Sequence, residues 1–166
     1  TIWHKQGLRM EKPSFPPLLT AGFHDMDSDG IKSLCVDTFP KSVRRSMLYC
    51  NFIQLIEQFK LVNQQCLCFS EVWIDGSFTT EKPEPDDIDI LVVVDYLALN
   101  SLPNTLMPLV SSLLNRDFIK ENYSIDVLLL PENHPEIDYS ERRSYWRGWF
   151  GFDRKENPKG LVRVML

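Results

Sequence analysis

Two stretches decide the fold of this chain: Val72-Trp73-Ile74-Asp75-Gly76-Ser77-Phe78 and Asp87-Ile88-Asp89-Ile90-Leu91-Val92-Val93-Val94. Each contains a short apolar run, and the second is rich in β-branched residues, which predicts two strands of a sheet. Alternate residues of a strand project to the same face, so Asp87 and Asp89 should point to one side. The sequence therefore predicts a carboxylate pair close to the turn that ends the first strand.

This arrangement suits both a cation and a phosphate. Two like charges on one face repel each other, and a divalent cation with hard oxygen ligands, such as Mg²⁺, is the usual way to neutralise them. The Gly76–Ser77 step lets a phosphate approach the backbone closely and offers it N–H groups and a hydroxyl. A phosphate site beside metal-binding carboxylates is typical of phosphoryl or nucleotidyl transfer.

The same residues resemble the polymerase-β-like nucleotidyltransferase superfamily. Its pattern is Gly-Ser or Gly-Gly, a gap of roughly ten residues, and Asp-x-Asp between apolar residues. Here the pattern reads Gly76-Ser77 and then Asp87-Ile88-Asp89. The superfamily's third carboxylate has a counterpart in Asp126, which opens the apolar run that ends at Leu130. The resemblance covers roughly residues 70 to 130 and implies the nucleotidyltransferase fold.

A second likeness covers most of the chain and indicates a group of small bacterial nucleotidyltransferase-like proteins. Minimal relatives of this kind act as antitoxins that nucleotidylate a partner toxin. The residues that carry this likeness are Pro16-Pro17-Leu18, Gly22-x-His24, Asp75-Gly76-Ser77-Phe78-Thr79, Pro85-x-Asp87-Ile88-Asp89 and Asp153-Arg154-x-x-Asn157-Pro158-Lys159-Gly160.

The resemblance implies a role for each candidate site residue. Asp87 and Asp89 would hold two magnesium ions, and Asp126 would complete the second metal site and help to deprotonate the acceptor. Gly76 and Ser77 would hold the β- and γ-phosphates of a nucleoside triphosphate, the substrate. The implied reaction moves a nucleoside monophosphate to an acceptor and releases pyrophosphate.

Residues 141–159 combine six Lys and Arg side chains with five aromatic ones. Such a segment binds a phosphorylated or nucleic acid partner, or it is a helix whose aromatics lie in the core and whose cations are solvated. Lys159 is the cation that we expect near the triphosphate. We expect a protein partner as the acceptor, because the acidic chain makes nucleic acid a less favoured one. A non-catalytic protein-interaction module that keeps this fold is the alternative function.

Length and composition bound the remaining possibilities. A chain of 166 residues predicts a single domain over 1–166, and 43% hydrophobic with 25% charged residues is ordinary for a globular protein. The net charge is −5, and no apolar run approaches the length of a membrane span. No signal-peptide pattern is visible, so we expect a cytoplasmic protein without a membrane partner. The four cysteines are predicted to be reduced, partly buried thiols.

The order of the elements predicts a mixed α/β fold, with a small twisted sheet and helices on one face. Residues 1–20 should form an extended arm. Strands are predicted at 69–75, 87–95, 124–130 and 161–165, and helices at 28–36, from 41 or 42 to 63, and from about 106 to 116. Pro83 and Pro85 exclude a regular helix from the second half of the loop after Ser77.

Residues Asp25 to Gly30 match the first half of a calcium-binding EF-hand loop. The loop position that should carry a bidentate glutamate is Val36, so helix capping by Ser28 or Asp29 is the preferred interpretation.

Overall fold

A computed structural model describes residues 13–166. The first twelve residues of the predicted arm lie outside the described part of the chain. Residues 13–20 lie along the loop that follows Asp75, since the N–H of Leu18 donates to the carbonyl oxygen of Thr79 at 2.9 Å. The N–H of Glu81 donates to the carbonyl oxygen of Pro16 at the same distance.

The sheet contains five strands, which are β1 (Gly22–Asp25), β2 (Phe69–Asp75), β3 (Ile88–Asp95), β4 (Ile125–Glu132) and β5 (Gly160–Met165). They form one mixed sheet with the order β1-β5-β2-β3-β4. Strand β2 is antiparallel to both of its neighbours, whereas the pairs β1–β5 and β3–β4 are parallel. The four predicted strands are confirmed, while β1 was not predicted because four residues are too few to show alternation.

The helices differ from the prediction mainly before β4. A helix was expected to end near Arg116, but Asn115 begins a new one there, because its side chain accepts a hydrogen bond from the N–H of Phe118 at 3.0 Å. The helices are α1 (Ser28–Lys32), which continues into a π-helical turn (Ser33–Asp37), α2 (Arg44–Asn63), α3 (Tyr96–Asn100), α4 (Met107–Leu113), α5 (Arg116–Tyr123) and α6 (Tyr139–Phe150).

The N-cap of α1 is Asp27, which accepts a hydrogen bond from the N–H of Gly30 at 2.8 Å, and not Ser28 or Asp29. Asp25 pairs with Arg163. The absence of a specific calcium site in this loop stays a prediction. Within residues 13–166 every helix is too short or too polar to span a bilayer.

The larger part of the core lies on what we call the first face of the sheet. Alternate residues of β2 and β3, including Val72, Ile74, Ile90 and Val92, are fully or almost fully buried on this face. Helix α2 covers them with side chains recurring at three and four residues, which is the spacing of one helix face. These side chains are Leu48, Phe52, Leu55, Ile56, Phe59 and Val62.

The opposite side of the sheet, the second face, carries a smaller core. The intervening residues Trp73, Leu91 and Leu130 are buried there against α6, which contributes Trp146 and Phe150. The mixed α/β fold class is confirmed, but the prediction that all helices lie on one face is wrong. The physical reason is that the strands are apolar on both sides, so both faces need a helix to exclude water.

Candidate functional site

Four carboxylates lie close together at one end of the second face, beyond the part that α6 covers. They belong to Asp75, Asp87, Asp89 and Asp126, and we call them the carboxylate cluster. Asp75 of β2 pairs in register with Asp89 of β3, and Asp89 pairs in register with Asp126 of β4. Asp87 lies one residue before β3, and its charge acts on Asp89. The prediction that Asp126 lies on the strand next to that of Asp89 is confirmed, whereas the shared side of Asp87 and Asp89 stays a prediction.

Asp89 is the central member of the cluster. Its pKa is raised to about 7, first because partial burial disfavours its ionised form and then because the charges of Asp87, Asp126 and Asp75 do so too. Burial and neighbouring like charges therefore both raise the pKa of this one carboxyl group. A bound cation would oppose both effects.

The two outer carboxylates are paired with cations of α5. Arg116 contacts Asp126 with two parallel hydrogen bonds of 2.6 and 2.9 Å, and these hold the pKa of Asp126 below its ordinary value. Lys120, one helical turn further on, contacts Asp87. Within residues 13–166 no three His, Cys, Asp or Glu side chains are arranged as a ready metal centre. Arg116 and Lys120 contact the carboxylate oxygens of Asp126 and Asp87 that a metal ion would use as ligands.

The Gly76 turn, residues 76–79, lies directly against Asp89. Gly76 has a φ of +77°, and a Cβ atom placed on it would lie 1.9 Å from Oδ2 of Asp89. Only glycine therefore allows this close approach. The turn is one short 3₁₀ helix, and the half-buried hydroxyl of Ser77 has no hydrogen-bond partner in the described part of the chain.

Lys159 is buried beside the same turn, where the sequence analysis expected a cation. Its Nζ lies 2.8 Å from Oδ1 of Asp75 and donates a hydrogen bond to the carbonyl oxygen of Gly76 at 2.9 Å. Burial raises the pKa of Asp75, and the charge of Lys159 opposes that effect. Asp75 lies in the stretch Val72–Phe78, and no sequence pattern marks it as a site residue. Its carboxylate already matches the charge of Lys159.

Arg45 holds the loop that follows the Gly76 turn. Its guanidinium is fully buried and donates to the carbonyl oxygens of Phe78, Thr80 and Lys82 at 2.7, 2.6 and 2.6 Å, and to that of Cys35 at 2.9 Å. These bonds fix the loop where the two prolines exclude a helix. No sequence pattern distinguishes this arginine from its exposed neighbour Arg44.

The basic and aromatic segment is partly core and partly exposed, and its binding of a phosphorylated or nucleic acid partner stays a prediction. Arg143 of α6 is partly buried, with its guanidinium 3.1 Å from Glu71 and 5.0 Å from the centre of the Trp73 ring. Tyr145 and Trp149, on the outer side of the same helix, are 56% and 65% exposed. One side of α6 is therefore core, and the other presents aromatic rings to solvent.

Comparison with protein families places the whole described region in one of them. A search of curated proteins found no significant match, and a search of solved structures found none. The matching family model covers residues 13–165 and is described as a family of unknown function, DUF6932. The chain belongs to the DUF6932 family.

Proposed function

We propose that this protein is a magnesium-dependent nucleotidyltransferase. The observation that carries the proposal is the contact between the Gly76 turn and Asp89, with Asp87 and Asp126 close enough to act on the charge of Asp89. A phosphate on the turn would thereby lie next to three carboxylates. That is the arrangement that transfer from a nucleoside triphosphate requires.

The residues present fit a magnesium ion. Carboxylate oxygens are the ligands that this hard cation prefers, and the partly buried Asp89, whose pKa is raised, would gain most from a neighbouring positive charge. Asp87, Asp89 and Asp126 would hold the metal, which would supply charge neutralisation at the phosphates. Binding requires Lys120 and Arg116 to release Asp87 and Asp126, and both cations are exposed enough to move.

The chain's own residues would carry the remaining steps. Backbone N–H groups of the Gly76 turn and the hydroxyl of Ser77 would bind the β- and γ-phosphates, and Lys159 would keep the turn in place. An acceptor oxygen then forms a bond to the α-phosphorus, and its proton passes to Asp126. The bond between the α-phosphorus and the bridging oxygen breaks, so that pyrophosphate leaves with the electron pair.

The test measures binding and transfer separately. Each of the four ribonucleoside triphosphates is titrated by calorimetry with and without Mg²⁺. At least one of these nucleotides should bind to the protein when Mg²⁺ is present and not when it is absent. Asp87→Asn, Asp89→Asn and Asp126→Asn should each abolish that binding and the transfer of an α-³²P label to acceptors in a lysate. The matched control is Asp86→Asn, since Asp86 is exposed and lies next to Asp87. Magnesium-independent binding, or none, would contradict the proposal.

The exposed side of α6 favours a protein as the acceptor of the transferred nucleotide. The same surface supports a second candidate function, that of a protein-interaction module without catalysis. Tyr145 and Trp149 lie one helical turn apart and expose more than half of their surface, and Arg142 beside them is exposed too. Rings of this kind are enriched in protein interfaces. The carboxylates held by α5 are compatible with both functions.

The double replacement of Tyr145 and Trp149 by Ser separates these two functions. If the acceptor docks here, label transfer is lost while magnesium–nucleotide binding is unchanged. Phe118→Ser is the control, because Phe118 is a 40% exposed ring on a different helix, α5. If no nucleotide binds with magnesium but a purified partner is released by the double replacement, the protein is an interaction module.

A further inference from the structure

A cleft opens on the second face between α6 and the edge of the sheet, and we call it the α6 cleft. It has a volume of about 360 Å³, within the range of pockets that hold small molecules. Its walls come from β1, the C-terminal half of α6 and the segment before β5. The residues that line it include Gly22, Phe23, Arg147, Gly148, Phe152 and Lys159.

The α6 cleft is electropositive in an acidic protein. Arg147 and Lys159 line it, and none of its lining residues within the described chain is acidic. Lys159 is matched by Asp75, but Arg147 has no carboxylate within ion-pair distance among residues 13–166. A cavity of similar size beside α1 carries charges of both signs, since Asp25, Asp27, Lys60 and Arg163 line it. The free charge in the α6 cleft is therefore that of Arg147.

The α6 cleft also offers flat surfaces and open space. The guanidinium of Arg147 lies 5.1 Å from the centre of the Phe23 ring, and the ring of Phe152 is 49% exposed. Guanidinium planes and aromatic rings are the groups on which nucleobases stack. A Cβ atom on Gly22 or Gly148 would meet no atom within 4 Å, so the space beside both glycines is empty.

Lys159 joins the α6 cleft to the Gly76 turn, because it lines the cleft and its Nζ reaches the carbonyl oxygen of Gly76. We propose that the α6 cleft binds the base and ribose of the nucleoside triphosphate whose phosphates lie on the Gly76 turn. The base stacks on Arg147 and Phe152. This inference rests on the proposed function and adds to it the site of the nucleoside.

The test compares a nucleotide with its phosphates alone. The probes are Mg²⁺ with tripolyphosphate and Mg²⁺ with the ribonucleoside triphosphate that binds tightest, both measured by calorimetry on the full chain. Gly148→Leu places a large side chain at an exposed helical position that lines the α6 cleft, where a Cβ atom has no neighbour within 4 Å. It should weaken nucleotide binding about tenfold and leave tripolyphosphate binding within about twofold. Phe152→Ser should act in the same direction.

Two controls isolate the filled volume and the stacking ring. Gly148→Ala raises helix propensity without filling the cleft, and Trp149→Ser removes a more exposed ring that does not line it. Neither should change nucleotide affinity.

The outcomes distinguish the two proposals. If the nucleotide and tripolyphosphate bind equally well to the unaltered protein, or if Gly148→Leu weakens both or neither, the nucleoside site is overturned and the proposed function stands. If neither probe binds with magnesium, the proposed function fails and the nucleoside site fails with it.

Discussion

The two faces of the sheet are built differently. On the first face, alternate residues of β2 and β3 are apolar from one end of the strand to the other, and α2 covers them. On the second face, the same strands have an apolar part under α6, where Glu71 is paired with Arg143, and an acidic end at Asp75 and Asp89. A face that is completely covered stabilises the fold, and the uncovered end of the other face is free to gather charge.

Arg45 connects these two regions, and its removal should have the largest effect. Arg45→Met keeps much of the volume but leaves at least four carbonyl oxygens without their donor, so the free energy of unfolding should fall by about 4 kcal/mol. Urea denaturation measures the change. Arg44→Met is the control, because Arg44 makes fewer and more exposed contacts. Equal effects of the two replacements would show that Arg45 is not the anchor of the loop.

Gly76→Ala should have the next largest effect, because it attacks the boundary of the carboxylate cluster. The new methyl group would meet Asp89, and a positive φ strains any residue with a Cβ, so we expect a loss of about 2 kcal/mol in the free energy of unfolding. Gly148→Ala, where the space is open, should be neutral or slightly stabilising.

A double-mutant cycle sharpens this result. In an Asp89→Ala background the carboxylate is absent, and Gly76→Ala should cost only the backbone strain. If the cost of Gly76→Ala is the same in both backgrounds, the close contact between the turn and Asp89 is not what requires glycine.

Asp89→Asn should stabilise the metal-free protein at pH 8. The pKa of Asp89 in the folded protein is about 7 against an ordinary value of 3.8, so the folded state holds this proton more tightly than the unfolded state. Stability from this group is therefore present at low pH and is lost as the pH rises from about 4 to 7. Melting in EDTA should show a gain on the order of 1–3 kcal/mol at pH 8 and little gain at pH 4.

The control for this prediction is Asp86→Asn, which removes an exposed carboxylate from the same stretch and should change stability little at either pH. A destabilised Asp89→Asn protein at pH 8 would show that the carboxylate cluster is not repulsive, and the contrast between the two faces would then lose its electrostatic basis.

The smallest expected effect concerns thiol chemistry on the first face. Burial raises the pKa of Cys35 and of Cys68 to about 12, whereas Cys50 is exposed. At pH 8 a thiol reagent should label Cys50 quickly and reach Cys35 and Cys68 only when urea unfolds the chain. Cys50→Ser should remove the fast phase. Fast labelling of Cys35 in the folded protein would mean that the first-face core opens readily.

The sequence by itself determined the strands and the alignment of the carboxylates. An apolar run with period two specifies which residues share a face, so Asp87 and Asp89 could be paired from spacing alone, and Asp126 could be placed on a further strand. Gly76 and Ser77 were found for a similar reason, since a turn between two strands is a local feature. The mixed α/β class followed from the order of these local patterns.

Only the tertiary structure decided which groups neutralise these charges. Asp75 and Lys159 are 84 residues apart in the chain and meet because β5 lies next to β2. Arg116 and Lys120 reach Asp126 and Asp87 because α5 ends where β4 begins. Arg45 is buried because the loop bends over α2. Such contacts depend on how distant segments pack, and periodicity carries information only about neighbours along the chain.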